Sequence, residues 1–367
     1  MTADPRLVDL FLNLTAIEGP SGGERGVADY IKAFLRSLGL GAVEDQAGER
    51  IRGNAGNVIC PIGDGGRSVL VAHMDTAVST QGLKAKVLDD RITSDGTTIL
   101  GADDRAGIAA ILYALETCLR ASSKAPNVTL AFTVDEERDL VGSKTIELDK
   151  KIRMGFAFDS HLRPGHFIYR TYGAINLKIK VIGEASHASR PEKGTSAIQI
   201  ASAALSQLRL GRIDEGTTAN IGFISGGTAV NTVPEEVDMT GEVRSLEADK
   251  LEAVLGEIQS CFQVAAKQFG GQVQLQSDWV FQPYEITPKM DVRRTLEVAL
   301  KKAGLEPKPQ ITAGGSDANN LNARGIPAVN IGIGAQNPHS SEEFILLEDL
   351  QKTADIAREL LEEVTND

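Results

Sequence analysis

Residues Thr97–Leu115 read "TTILGADDRAGIAAILYAL": an apolar run passes through Gly101, meets Asp103 and Asp104 side by side, and continues as a helical pattern. Adjacent carboxylates repel one another, so something must offset that repulsion. Taken singly, either Asp serves as a helix cap, since a carboxylate satisfies the free N–H groups and the positive dipole end. The surroundings fix the fold class. Short continuous apolar runs lie on both sides: "NVICPI", "SVLVAHM", "VTLAFTV" and "MGFAFDS". Such runs suit strands buried on both faces. Helical spacing occupies 4–17, 23–38, 104–120 and 140–149, with Ser21 or Gly22 available near the start of the second helix. This alternation predicts an α/β domain with a largely parallel sheet.

The pattern changes from about Tyr172. "AINLKIKVIG" alternates as a strand, "GTSAIQIASAALSQL" is helical, and "TTANIGFISGG" and "EEVDMTGEVRSL" are strands. A long helix, "DKLEAVLGEIQSCFQVAAKQFG", and a last strand, "QVQLQSDWVFQ", complete the series. The order β-α-β-β-α-β is the ferredoxin-like split βαβ arrangement. It reads as an α+β unit inserted into the first domain. Helix 288–303, "GIPAVNIGIG" and helix 346–363 then resume the α/β character.

The 367 residues carry a net charge of −12, and no basic stripe suits nucleic acid. Cys60, Cys118 and Cys261 are odd in number and far apart, which predicts reduced thiols in a cytoplasmic protein, not a disulfide framework or cysteine zinc site. "MTADPRLVDLFLNL" lacks the basic and apolar regions of a leader. No apolar run approaches the ~20 residues of a membrane span.

Chemistry-bearing residues gather at predicted strand ends, where open α/β sheets collect ligands. His73 and Asp75 follow "VLVA", Glu136 and Glu137 follow "LAFTVD", Asp159 follows "MGFAF", and His339 follows "PAVNIGIG". A lone His there is ordinarily structural, and a Glu pair ordinarily surface charge. Together, two His and this many carboxylates would repel strongly without cations. Imidazole and carboxylate without thiolate suit zinc, with cobalt or manganese possible. Two ions sharing one carboxylate could clamp a water about 3.5–4 Å across, and a nearby free carboxylate could take its proton.

In order and spacing, "HMD", "GADDRAGIAA", "FTVDEE", "FAFDS" and "NPHSSEEF" resemble the co-catalytic dinuclear zinc peptidases related to carboxypeptidase G, the aminoacylases and peptidase T. "GADDRAG" and "DEE" are most similar to the peptidase T-like branch. The resemblance covers nearly the whole chain. It implies a catalytic dinuclear-metal domain over 1–171 and 285–367, and a lid and dimerisation domain over 172–284. It implies that Asp103 bridges two Zn²⁺, with His73 and Asp159 completing one site and Glu137 and His339 the other. Glu136 would be general base and acid, and Asp75 would hydrogen-bond the second nitrogen of His73. A cis peptide after Asp103 is implied too. From the lid, His187 would stabilise the oxyanion and Asn231 and Arg244 would face the substrate, Arg244 clamping a carboxylate. Gly315 and Ser316 in "TAGGSDANNL" would line the pocket. His161 and His166 match no ligand position and read as loop residues.

The implied function is a metal-dependent exopeptidase, an aminopeptidase hydrolysing short, tripeptide-like peptides by a metal-bridged hydroxide, acting as a homodimer paired through the lid, with 187–205 as a candidate edge. The alternative on the same site is an N-acyl or N-carbamoyl amino-acid amidohydrolase or a carboxypeptidase. A binding protein on a retired enzyme fold is a third option, which Glu136 argues against. The chain departs from the aminotripeptidase pattern at Ala313, where an Arg precedes the Gly-Gly pair, and in "NPHSSEEF", where that pattern has a Tyr-His-Gly form. Strict tripeptide specificity is thereby put in question.

Overall fold

The computed structural model describes residues 3–121 and 125–366, so Met1 and Thr2, the start of the segment screened for a leader, lie outside it. The chain divides into two compact units, Met1–Arg170 with Glu285–Asp367, and Thr171–Tyr284.

The first unit is built on a nine-stranded sheet. At its centre Val128–Thr133, Ser68–His73, Met154–Ser160 and Ala328–Gly332 lie side by side and parallel. Every residue of Ser68–His73 and of Val128–Thr133 is buried. Burial on both faces is why these strands are continuous apolar runs and do not alternate. Antiparallel strands flank the parallel set: Val58–Ile62 on one side and His166–Thr171 on the other. His166 therefore opens a strand, where a loop was expected.

Helix Ala102–Ala121 is buried around its circumference from Asp104 to Leu112. A helix apolar all round belongs inside a protein, and Leu347–Asn366 and Pro5–Thr15 pack against it. Arg25–Ser37 and Asp291–Lys302 form close to where periodicity places them. The helix expected at 140–149 shrinks to Val141–Thr145. Asp139 and Leu140 sit at φ 67° and 58° just before it, and Ile146 leaves at ψ 135°, so neither end can propagate. A second, four-stranded antiparallel sheet was not foreseen. It orders Ala335–Gln336, Phe344–Leu346, Arg91–Thr93 and Lys86–Val87.

The second unit is an antiparallel sheet ordered Gly211–Asp214, Thr217–Gly226, Glu236–Ser245, Gly173–Ile182 and Gln272–Phe281. The order of its four long strands is that of a split βαβ unit. Alternate residues Ile175, Leu177, Ile179 and Val181 turn to one face and pack with Ile200 of helix Ala197–Leu205 and Val254, Ile258 and Phe262 of helix Ala248–Phe269. Burying one such side chain fully stabilises by about 1.5–3 kcal/mol. Gly270 ends the long helix at φ 81°, the left-handed cap that glycine adopts without penalty. No helix among the described residues is long and apolar enough to cross a membrane.

Candidate metal centre

Three adjacent parallel strands deliver their carboxyl ends to one place. Ser68–His73 ends on His73, Met154–Ser160 carries Asp159 next to its end, and Glu136 and Glu137 follow Val128–Thr133. Asp103 arrives at the start of helix Ala102–Ala121, and His339 from the loop after Ala328–Gly332, with φ 62°. The Asp103–Asp104 peptide is cis, as the resemblance implies.

These side chains form two groups joined by one carboxylate. Asp103 Oδ1 lies 3.0 Å from His73 Nε2, which is 3.5 Å from Asp159 Oδ1. Asp103 Oδ2 lies 3.5 Å from His339 Nε2, which is 2.8 Å from Glu137 Oε1. Each group offers three ligand atoms within 4.8 Å of one another. Ligands about 2.0–2.1 Å from a tetrahedral ion stand roughly 3.3 Å apart, so both spacings suit a divalent cation. Glu137 Oε1 also has no properly aligned hydrogen-bond donor. A nitrogen and an oxygen that close without an aligned proton between them are placed as two ligands converging on one ion. The nitrogen and oxygen donor set fits zinc, cobalt or manganese.

The electrostatics agree. Burial, then repulsion from Asp159, holds the Glu136 carboxyl well above its ordinary range. Burial raises Glu137 and Asp159 too, against the pull of His339 and His73 respectively. Burial also opposes the charge on Asp103, but hydrogen bonds with His339 and His73 outweigh it and hold the carboxyl below its usual range. His339, close against the Asp103 and Glu137 carboxylates, is pushed up to about 10. This set of acids resists ionising together unless positive charge enters among them.

The doublet of the opening stretch divides its labour. Asp103 faces the two groups. Asp104, fully buried, accepts from the His73 N–H at 3.0 Å and the Gly107 N–H at 3.1 Å. It thus caps the helix and fastens it to the His73 strand. The cap explanation holds for Asp104, and Asp103 is left free to face the two ligand groups. Asp75 is also fully buried. Its Oδ1 is 3.3 Å from His73 Nδ1, whose nearer partner is the Asp75 carbonyl at 3.1 Å. Its carboxylate accepts from the N–H groups of Glu136 and Glu137 at 3.0 and 3.1 Å and from the Ser21 hydroxyl at 2.7 Å. Ser21 therefore braces Asp75 and does not cap a helix.

Sequence reasoning missed several supports. Glu343, 0% exposed, accepts from the Gly101 and Asp103 N–H groups at 2.7 and 3.1 Å. Asn330 Nδ2 donates to Asp159 at 3.4 Å. The fully buried Arg105 grips the Met74 carbonyl. Asp317, which the sequence places with Ser316 at a helix start as pocket wall, instead accepts from the Thr133 hydroxyl, and burial raises it to about 6. Glu343, a carboxylate spent on main-chain N–H groups, carries no motif beyond the doubled acid at 342–343.

The remaining candidates fall elsewhere. Ser316 is buried and forms a capping box with Asn319 on helix Asp317–Ala323, while Gly315 is half-buried and Ala313 exposed. In the second unit, His187 pairs with Thr232 across a two-stranded ribbon, and Asn231 accepts the Ala188 N–H at 2.9 Å. That ribbon brings His187 and Asn231 together. The exposed His187 ring is held by Ser189, whose Oγ is 2.8 Å from Nδ1. Arg244 bonds Glu242 at 3.0 Å and lies 6.0 Å from the Phe281 ring centre. His166 Nδ1 bonds the Arg163 carbonyl, and the His161 carbonyl accepts from Gln336. The three cysteines are free thiols.

Comparison with known proteins agrees with this arrangement. Residues 169–269 match a peptidase dimerisation domain, and 57–203 match peptidase family M28. The chain is 34% identical to the uncharacterised Bacillus subtilis protein YqjE, over 99% of both. It is 34% identical to the aminopeptidase PepT of Bacillus cereus, with TM-score 0.91 and 98% of each chain covered. A Staphylococcus aureus tripeptidase superposes with TM-score 0.92 at 32% identity over the whole of both chains.

Proposed function

This chain belongs to the peptidase T-like branch of the M20 metallopeptidases, and from that premise we propose that it is an aminopeptidase acting on short peptides. The observation that carries the proposal is the Asp103 carboxylate, which offers one oxygen to each of two ligand groups. His73 and Asp159 would hold one ion and Glu137 and His339 the other, zinc first, with cobalt or manganese as substitutes. Bound there, two divalent cations supply Lewis-acid activation of the scissile carbonyl and the attacking water.

The chain's own residues do the rest. Glu136 is the general base. It is mounted on an N–H held by Asp75, and burial and its acidic neighbours raise its proton affinity. A carboxyl poised that way takes a proton from water and returns it to the leaving amine. Asp75 meets His73 Nδ1 with two oxygens, selecting the tautomer whose Nε2 lone pair faces Asp103. His187 would serve the oxyanion, and Asn231 and Arg244 the far end of the substrate, with Gly315 and Ser316 as pocket wall. The aminopeptidase and tripeptidase likenesses do not favour the amidohydrolase or carboxypeptidase alternatives.

The second unit supports assembly as a homodimer. Strand Thr217–Gly226 pairs along its length with Glu236–Ser245, but on its other edge only Thr217–Ala219 is covered, among the described residues. Phe223 and Ile224 stand 55% and 56% exposed on that open stretch. Open apolar edges invite strand pairing. Residues 220–226 are thus one open edge, and the outer side of Gln272–Phe281 is another; we favour 220–226 for the pairing, beside the candidate segment 187–205, which begins on the short strand Ser186–His187 and ends in helix Ala197–Leu205. The free thiols suit the cytoplasmic location we propose.

The test is turnover of di-, tri- and tetrapeptides with free or acetylated amino ends, with zinc, cobalt or manganese and after chelation. Metal-dependent cleavage that requires the free amine is expected. Glu136→Gln should cut kcat by about 10²–10⁴-fold with metal content unchanged. Normal turnover by the metal-loaded variant would remove Glu136 from the mechanism.

A further inference from the structure

Behind the ligand groups lies a third acidic triad, Glu24, Asp75 and Asp135, all buried, with one oxygen of each within 4.8 Å of the others. Asp135 has its own counterion, with Arg138 Nη2 at 2.6 Å. Glu24 Oε1 accepts from the N–H groups of Gly22 and Asp135 at 2.8 and 3.1 Å, while Oε2 is buried without a partner. Asp75 holds Ser21 and the Glu136–Glu137 main chain. The triad thus ties the loop before helix Arg25–Ser37 to the strand ends that carry His73 and the doubled Glu.

Arg105 sits in the first turn of the central helix, where the dipole disfavours a cation, and is only 1% exposed. Both conditions count against an arginine, so its neighbours must compensate. Asp75, Asp104 and Glu24 are the carboxylates whose charge acts on it. Its Nη1 donates to the Met74 carbonyl, between His73 and Asp75. Nε and Nη2 have no hydrogen-bond partner among the described residues. A Cβ at Gly19 would come 2.8 Å from Nη2, so glycine there lets the main chain lie against the guanidinium.

We propose that Arg105 is a positioning residue of the metal centre: it is the protein's own cation for the buried Glu24–Asp75 pair and fixes the two loops that carry His73 and Glu136–Glu137. Two guanidinium groups, Arg138 beside Asp135 and Arg105 beside the other two acids, already offset most of the triad's charge without a third ion. The inference rests on the metal-centre proposal above. It adds that ligand placement depends on a charge balance one layer behind the ligands.

The experiment titrates metal-free protein with cobalt(II), following visible absorption and heat. Failure of the wild type to take up cobalt would overturn the metal-centre proposal and this one with it. If the wild type binds, Arg105→Met should weaken cobalt affinity about 10–100-fold, the usual effect of losing a partner behind a ligand, and shift the absorption bands. Glu24→Gln should change it less than about 3-fold, because Oε1 keeps both N–H bonds. In the double variant, where Glu24 no longer needs a counterion, at least about 5-fold should return. Arg105→Lys keeps the charge but shortens the reach to Met74, and should fall between wild type and Arg105→Met. If Arg105→Met does not fold, Arg105→Lys decides: weaker cobalt binding with shifted bands supports the proposal, and wild-type affinity and spectrum overturn it. A folded Arg105→Met that binds like wild type, or a double variant no better than Arg105→Met, also overturns it.

Discussion

Replacing Glu343 tests whether the Asp103 loop is held from outside its own sequence neighbourhood. Glu343 is separated from Asp103 by 240 positions, yet its two oxygens take the N–H groups of Gly101 and Asp103 at 2.7 and 3.1 Å. The site is 0% exposed, so water does not readily replace the lost acceptor. Glu343→Ala removes two hydrogen bonds to a carboxylate and leaves two buried donors unmet, at about 1.5–3 kcal/mol each. The total loss should be about 3–6 kcal/mol. Glu343→Gln keeps one acceptor oxygen and should lose about 1–3 kcal/mol. The assay is thermal unfolding after chelation, so that bound metal does not mask the effect. Each kcal/mol corresponds to about 2–4 °C for a unit of this size, giving a fall of about 6–24 °C for the Ala variant. The transition of the first unit, which contains Glu343, is the one expected to move. A loss below about 1 kcal/mol for Glu343→Ala would refute the reasoning, because it would mean the two N–H groups are satisfied without the carboxylate.

Other expectations follow from the same geometry. Arg25, with Lys32 at 2.6 Å, pulls the Glu44 carboxyl down to about 2 from 4.5. Its contribution is therefore complete above about pH 4.5 and lost as pH falls toward 2. Because Arg25 is 38% exposed, solvent reduces this to about 1–2 kcal/mol, and Glu44→Gln should flatten that part of a pH–stability curve. A Cβ on Gly107 would lie 2.3 Å from both Asp104 Oδ1 and the Phe158 carbonyl. Gly107→Ala should destabilise by about 1–3 kcal/mol and weaken cobalt binding, because the Asp159 strand end and the helix must separate; unchanged calorimetry would count against that contact. Zinc restored to chelated protein at 100-fold over its Kd should stabilise the first unit by about 2.7 kcal/mol, and an unmoved melting temperature would contradict the candidate site.

The central sheet was legible because strands buried on both faces spell continuous apolar runs, and the ligand candidates because a doubled acid or a histidine directly after such a run is chemically conspicuous. The insert was legible from the alternation of Ile175, Leu177, Ile179 and Val181. Long-range supports were not. Glu343 sits inside "SSEEF" and looks like surface charge until the small sheet, through pairing of Phe344 with Thr93, carries it to Gly101. Arg105 looks like an exposed helix residue, since a cation gives no sign of being buried. The short strands Lys86–Val87 and Arg91–Thr93 were missed because two or three residues carry too little periodicity to register. Ser21 was assigned by adjacency to a helix start, whereas its hydroxyl reaches 54 positions along the chain to Asp75.

The chain leaves the first unit after Arg170 and returns at Glu285. These points lie on neighbouring strands, His166–Thr171 and Tyr284–Glu285, and the Ile286 N–H donates to the Tyr169 carbonyl at 2.6 Å. To the host sheet, the whole second unit is an overgrown hairpin turn. Insertions at such points are tolerated because the flanking ends are already adjacent. An ancestral gene could therefore have acquired, lost or exchanged this cassette in a single recombination without rethreading the host. A shortened gene that joins Arg170 to Glu285 through a tight Gly-rich turn should still encode a foldable host.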